Sequence, residues 1–302
     1  MTNYALSVVE SGGRPVVALE TGGAFYDLSK AAPDLQVDAS GGILSLLQNW
    51  DRSTTILDDI AASLAGCDQA ALPKPDDGAF QRLVTHPSKL IFAGLNYYDH
   101  LRIDLGITDF DKESLDPLLF LKHQGAQAAS GQELAFPIQT QQLDWEVELV
   151  VIFGKSGRAI PRAEAMNYIA GYAVGVDLSA RDWQNSKRHM REFDLFAGKA
   201  FDGASPVGPL FVPAQFVDSS NLGMKLWVNG ELKQDSNSDQ MIWSIPELIE
   251  WISRHMTIEP GDMLFTGSPA GVGLISGTYL KPGDEVRAEI AGLGILTTRL
   301  SS

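Results

Sequence analysis

Glu146 and Glu148 stand two residues apart and lead directly into the apolar run Leu149-Val150-Val151-Ile152. Read as one strand, Leu143 to Ile152 alternates strictly. Asp144, Glu146 and Glu148 then share one face, while Trp145, Val147 and Leu149 share the other. Like charges on a strand that enters a core repel one another and are costly to bury. A hard divalent cation would compensate them. Asp177 ends a second strand-like run, Gly171 to Val176, and two readings stand for it. It is either a turn former or helix cap, or a third carboxylate for the same ion. Three carboxylates suit an all-oxygen Mg2+ site that water or substrate oxygens complete.

A second constellation is Gly94-Leu95-Asn96-Tyr97-Tyr98-Asp99-His100-Leu101-Arg102-Ile103-Asp104, a turn into a short helix after the strand-like Leu90 to Ala93. On that helix His100 and Asp104 are at i, i+4 and can touch. A carboxylate orients an imidazole and raises its basicity, as a general base requires; a surface pair without consequence is the other reading. Near the C-terminus, Thr266-Gly267-Ser268-Pro269-Ala270-Gly271-Val272-Gly273 forms a Gly-rich loop after a strand. Its glycines permit close backbone approach to a ligand, and the hydroxyls of Thr266 and Ser268 could bind a carboxylate or carbonyl oxygen. It lacks the Lys and Ser/Thr at the offset that a phosphate-binding P-loop requires. Lys199, between small residues, could approach an oxyanion. Arg181 and Gln184 follow Asp177, and for the basic residues an ordinary salt bridge competes with a site role. His86, His123, His189 and His255 show no zinc-type spacing, and there is no G-x-S-x-G nucleophile elbow.

These groups need a scaffold, and the chain supplies short elements. Strands are expected at Tyr4 to Val9, Pro15 to Glu20 and Ala24 to Leu28, with helical periodicity over residues 42–65. Ala71 to Gly78 reads as a connection containing Pro and Gly. Beyond residue 86, short apolar runs alternate with Gly, Pro, Asn and Asp turns, and helical pattern is sparse. The expectation is an α+β, β-rich protein with a small N-terminal αβ domain over residues 1–80 and a larger domain over 81–302. The formal net charge of −15 argues against nucleic acid or an anionic membrane as partner, since either would want a basic face. A lone cysteine, Cys67, excludes an intrachain disulfide and is expected to be a small buried apolar residue. With no signal-peptide pattern and no apolar run near the ~20 residues of a membrane span, a soluble cytoplasmic protein is expected.

From about Lys89 onward the chain resembles the fumarylacetoacetate hydrolase family. The motifs that carry the resemblance are Gly94 to His100, Pro117 to Lys122, Leu143 to Leu149, and Gly171-Tyr172 through Asp177 to Asp182. Gly198-Lys199, Val228 to Glu231 and Pro260 to Gly273 follow in the family's order. The resemblance implies a mixed β-roll catalytic domain, usually homodimeric, that holds Mg2+ or Mn2+ (Ca2+ in some members). It implies Glu146, Glu148 and Asp177 as ligands, Lys199 at the substrate's oxyanion and His100 as the lid base. Arg181, Gln184 and Thr266, Gly267 and Ser268 would help hold the substrate. The family's lid pairs its His with a Glu three residues on; here Ile103 takes that place and Asp104 comes one later. Ser268 replaces the usual Thr, and His123 follows Lys122 where Pro is common, which would set a different polar group near the pocket.

The expected activity is metal-dependent hydrolysis of a C–C bond in an acylpyruvate or β-diketo acid, as in aromatic catabolism. The alternative on the same metal site is an oxaloacetate-type decarboxylase or a 2-oxo acid tautomerase or isomerase, which the shifted His100–Asp104 spacing favours. A non-catalytic binding protein that retains the site is the third reading. Its mark would be Mg2+ binding without turnover of any oxo acid.

Overall fold

The computed structural model describes residues 3–64 and 71–301; Cys67 lies outside them. The N-terminal part is an antiparallel sheet of Ala5–Ser11, Arg14–Thr21, Ala24–Asp27 and Ala71–Leu72, in that order. The connection expected at Ala71 therefore begins as a short strand, pairing Leu72 with Phe25. Helix Trp50–Leu64 buries Trp50, Ser53, Leu57 and Ala61. That spacing of three to four residues gives the helix a single inward stripe.

The larger part is built on an eight-stranded mixed sheet. Its path runs Leu118–Lys122, Leu90–Gly94, Met263–Phe265, Val147–Phe153, Ile169–Val176, Ser205–Val207 and Gln127–Ala129, with Val212–Pro213 also pairing to Ile169–Val176. A five-stranded sheet, Glu231–Asn237, Gly223–Val228, Glu285–Ile290, Gly294–Leu300 and Glu133–Leu134, lies against it. Together they make a mixed α+β fold in which a curled half-barrel of sheet follows the small N-terminal sheet. The central strand Val147–Phe153 is buried along its whole length. Its two faces feed different cores. Val147, Leu149, Val151 and Phe153 join a cluster with Met224, Leu226, Val286 and Ala288 of the five-stranded sheet. Val150 and Ile152 join Leu6, Val8, Leu19, Leu46 and Leu57 of the N-terminal part. The apolar run in the sequence is continuous because both faces are covered.

One expected element is altered. Leu143 to Ile152 is not a single strand: Leu143–Asp144 pairs with Ser179–Ala180, and the ladder to Ile169–Val176 starts only at Val147. The chain changes partner across Trp145 and Glu146. There the Val147 N–H donates to the Gln234 side chain instead of a strand carbonyl, at 2.9 Å. Among the described residues, no helix is long and apolar enough to cross a membrane.

Candidate active site

Strand register brings the acids together. Antiparallel pairing sets Val147 opposite Val176 and Glu148 opposite Gly175. Glu146 and Asp177 therefore face each other at the sheet's end, where the Asp177 N–H donates to the Glu146 carbonyl at 2.8 Å. Glu146 and Glu148, two residues apart, both turn toward Asp177. One carboxylate oxygen from each of the three lies within 4.8 Å of the others, and all three residues are buried.

Cations surround this cluster unevenly. Lys199 donates to Glu146 Oε2 and Asp177 Oδ2, both at 2.7 Å. Lys122 donates to Asp177 Oδ1 and to Ser205 Oγ. The Arg181 guanidinium is divided three ways, among Asp144 Oδ2 at 2.8 Å, Glu146 Oε1, and Gln184 Oε1 at 3.1 Å. Asp144 also accepts the backbone N–H groups of Trp145, Gly273 and Leu274. It thus anchors Arg181 rather than facing the cavity with Glu146 and Glu148. Burial opposes ionisation of Glu146, but the charges of Lys199 and Arg181 outweigh it and bring its pKa down to about 2. Glu148 is pushed the other way, well above the usual carboxylate range, by burial and by the charges of Asp177 and Glu146. Among the described residues it pairs with no Lys, Arg or His. Its Oε2 accepts the Gly267 N–H at 2.7 Å.

Four carboxylates, those of Asp144, Glu146, Glu148 and Asp177, thus meet three cations, Arg181, Lys199 and Lys122. The deficit falls on Glu148. Hard oxygen donors grouped around an unbalanced negative charge fit a divalent cation. Glu146, Glu148 and Asp177 are the residues placed to hold it.

His100 opens a five-residue π-helical turn, His100–Asp104, closed by the Leu105 N–H to the His100 carbonyl at 3.3 Å. Such wide turns accommodate an extra residue and recur at functional sites. Here the turn leaves Ile103 72% exposed and carries Asp104 inward. Asp104 Oδ2 is 2.7 Å from His100 Nδ1, and the carboxylate also accepts the Gly271 N–H at 3.2 Å. With Nδ1 donating to Asp104, Nε2 is the nitrogen available as acceptor. His100, Glu146, Glu148, Asp177, Arg181, Gln184, Lys199 and Ser268 all line one cavity of about 190 Å³.

The structure also reassigns residues read from sequence. Thr266 is fully buried and its hydroxyl donates to the Leu149 carbonyl at 3.0 Å, so it splices the loop to the central strand and does not face the cavity. Gly267 spends its N–H on Glu148. Ser268 reaches the cavity, its hydroxyl accepting from Gln234 Nε2 at 3.0 Å. His123 does not line the cavity; its Nε2 donates to the Ala200 carbonyl at 2.7 Å and its Nδ1 accepts from Gly125. It joins the strand end carrying Lys122 to the helix end carrying Lys199. Sequence reasoning gave no role to Lys122, Gln234 or Asn96. Asn96 ties Thr266 to Trp243, accepting from the Trp243 N–H and donating to both carbonyls. A lysine closing the apolar strand Leu118–Lys122 was a usable signal; nothing local marked the other two.

A family model described as "Fumarylacetoacetate (FAA) hydrolase C-terminal" matches residues 89–301. A protein of Rattus norvegicus named "Oxaloacetate tautomerase Fahd2a, mitochondrial" is 35% identical over 291 residues, covering 95% of this chain and 87% of its own. The solved fumarylacetoacetate hydrolase from psychrophilic Exiguobacterium antarcticum superposes with a TM-score of 0.80, at 28% identity and 99% coverage of both chains. Fumarylpyruvate hydrolase from Pseudomonas aeruginosa, solved with Mn2+ and pyruvate, is 35% identical with a TM-score of 0.63, over 76% of this chain and 98% of its own. The chain belongs to the fumarylacetoacetate hydrolase family.

Proposed function

We propose that the protein is a divalent-metal-dependent keto–enol tautomerase of 2-oxo acids. The observation that carries this reading is His100, which lines the same cavity as the three carboxylates and is held from behind by Asp104 at 2.7 Å. The rat relative's name supports the same chemistry. A cation held by Glu146, Glu148 and Asp177 would polarise the 2-oxo group and favour charge on its oxygen.

Every other part of the reaction falls to side chains. Nε2 of His100 removes a proton from C3 while Asp104 holds the imidazole and stabilises its positive charge. The C3–H electron pair becomes the C2–C3 double bond, and the C2 oxygen takes the charge beside the Lys199 ammonium. Return of the proton to that oxygen gives the enol; the reverse order regenerates the ketone. One base suffices, with no water to position. This reverses the preference read from the sequence, which put hydrolysis first.

The test follows enol absorbance of a 2-oxo acid with Mg2+ or Mn2+ present. The expected result is acceleration that falls on the order of 10²-fold or more in His100→Ala and loses its metal dependence in Glu148→Gln. A near-normal rate in His100→Ala would sink the mechanism. C–C hydrolysis of an acylpyruvate is kept as a second reading because of the likeness to the Pseudomonas fumarylpyruvate hydrolase. Metal-dependent cleavage of an acylpyruvate that outpaces tautomerisation would favour it.

A further inference from the structure

The cavity has two chemically different parts. Its base holds the acidic cluster, Arg181 and Lys199; the remaining wall is formed largely by Leu95, Leu105, Leu118, Phe120, Phe193 and Leu195. We propose that the substrate carries an uncharged apolar group on C3, an aryl or branched alkyl group, in place of the second carboxylate of a dicarboxylic 2-oxo acid. This rests on the tautomerase reading above and specifies its substrate class.

Three observations support it. First, the cations that line the cavity are already engaged. Arg181 is shared among Asp144, Glu146 and Gln184, and Lys199 between Glu146 and Asp177. Their spare N–H groups, with any bound metal, serve the 2-oxo acid end. Second, the loop that contributes Asn185 and Phe193 to the wall also carries Lys187, Arg188 and Arg191, and all three are exposed and absent from the lining. Apart from Arg181, Lys199 and His100, which serve the reacting 2-oxo acid end, the lining offers a distal carboxylate the neutral amides of Gln184 and Asn185 and the Ser268 hydroxyl, and a charge set against apolar walls without a cation of its own is unfavourable. Third, the net charge of −15 repels a dianion more strongly than a monoanion during approach. Gln184 and Ser268 are themselves partly committed, the first accepting from Arg181 and the second from Gln234.

The experiment compares kcat/KM for tautomerisation of phenylpyruvate and oxaloacetate by the full chain with Mn2+, using His100→Ala for the background rate. The expected result is a preference for phenylpyruvate of about tenfold or more. Equal use of the two, or a preference for oxaloacetate, overturns the substrate assignment and leaves the tautomerase reading intact. Acceleration of neither overturns the tautomerase reading and this assignment with it. A second variant, Phe193→Arg, adds a cation to the wall at a side chain that is 45% exposed and so spares the core. It should move the ratio toward oxaloacetate while leaving the Mn2+-induced rise in Tm unchanged. An unchanged ratio in that variant would count against the assignment.

Discussion

Lys122 and Lys199 each donate to one oxygen of Asp177, so this buried carboxylate is paired on both sides. Lys122 is the more confined: burial drives its pKa down, against the pull of Asp177 and with the push of Lys199. Removing one partner of such a pair is more damaging than never having had the pair. Lys122→Met should therefore cost about 3–5 kcal/mol in denaturant unfolding of the metal-free protein. Added Mg2+ should restore part of that loss by supplying the missing positive charge. At this scale the cluster of Glu146, Glu148 and Asp177 was legible in the sequence, because two-residue alternation and a strand-ending Asp are local signals. Gln234 and Asn96 were not, because each acts on groups 34 to 170 positions away, and Lys122 was marked only as the lysine that closes an apolar strand. Only the folded register defines those partners.

Among the elements, the segment that follows the His100 turn is held by contacts far along the chain. Lys112 bonds both oxygens of Glu247 at 2.9 Å, and Phe110 sets its ring edge-to-face against Tyr98 and Trp243. Glu247 in turn closes the capping box of helix Ile245–His255 with Ser244. The loop leaving the π-helical turn is thereby latched to a helix N-terminus. Burial alone would raise the Glu247 pKa, but Lys112 and Ser244 together hold it below the usual carboxylate range. For an acid so depressed, the added stability is present above the unfolded-chain pKa and lost as pH falls through the folded one. At neutral pH the latch holds; it releases in acid, as pH falls through the depressed pKa of Glu247. Glu247→Gln should lower stability by about 1–2 kcal/mol at pH 7 and flatten the acid limb of a Tm-versus-pH curve. An unchanged acid limb would mean the latch carries no stability. Two segments are built differently from their sequence reading. Periodicity cannot show that Leu143 to Ile152 changes partner midway, since the break depends on Gln234 from another sheet. The π-helical turn was visible only as an acid one place late.

For the molecule as a whole, the charge deficit at Glu148 links metal binding to folding. A ligand that binds only the native state stabilises it by RT ln(1 + [L]/Kd), about 2.7 kcal/mol at one hundred times Kd. Mg2+ or Mn2+ should raise Tm in a concentration-dependent way, a chelator should reverse the rise, and Glu148→Gln should abolish it. A Tm indifferent to both cations would remove the case for a resident metal. The fold class was readable from the run of short strands and turns. The way its parts are joined was not, since no local pattern shows that Val150 and Ile152 share a core with Leu6, Leu19 and Leu46. That shared core keys the strand bearing Glu148 to the leading sheet. Close-packed interiors tolerate exchanges that keep volume and punish those that do not. The N-terminal part and the central strand can therefore vary at their surfaces but only in step along this seam. A chimera that borrowed its first 80 residues from a relative would inherit a misfit directly behind the acidic cluster.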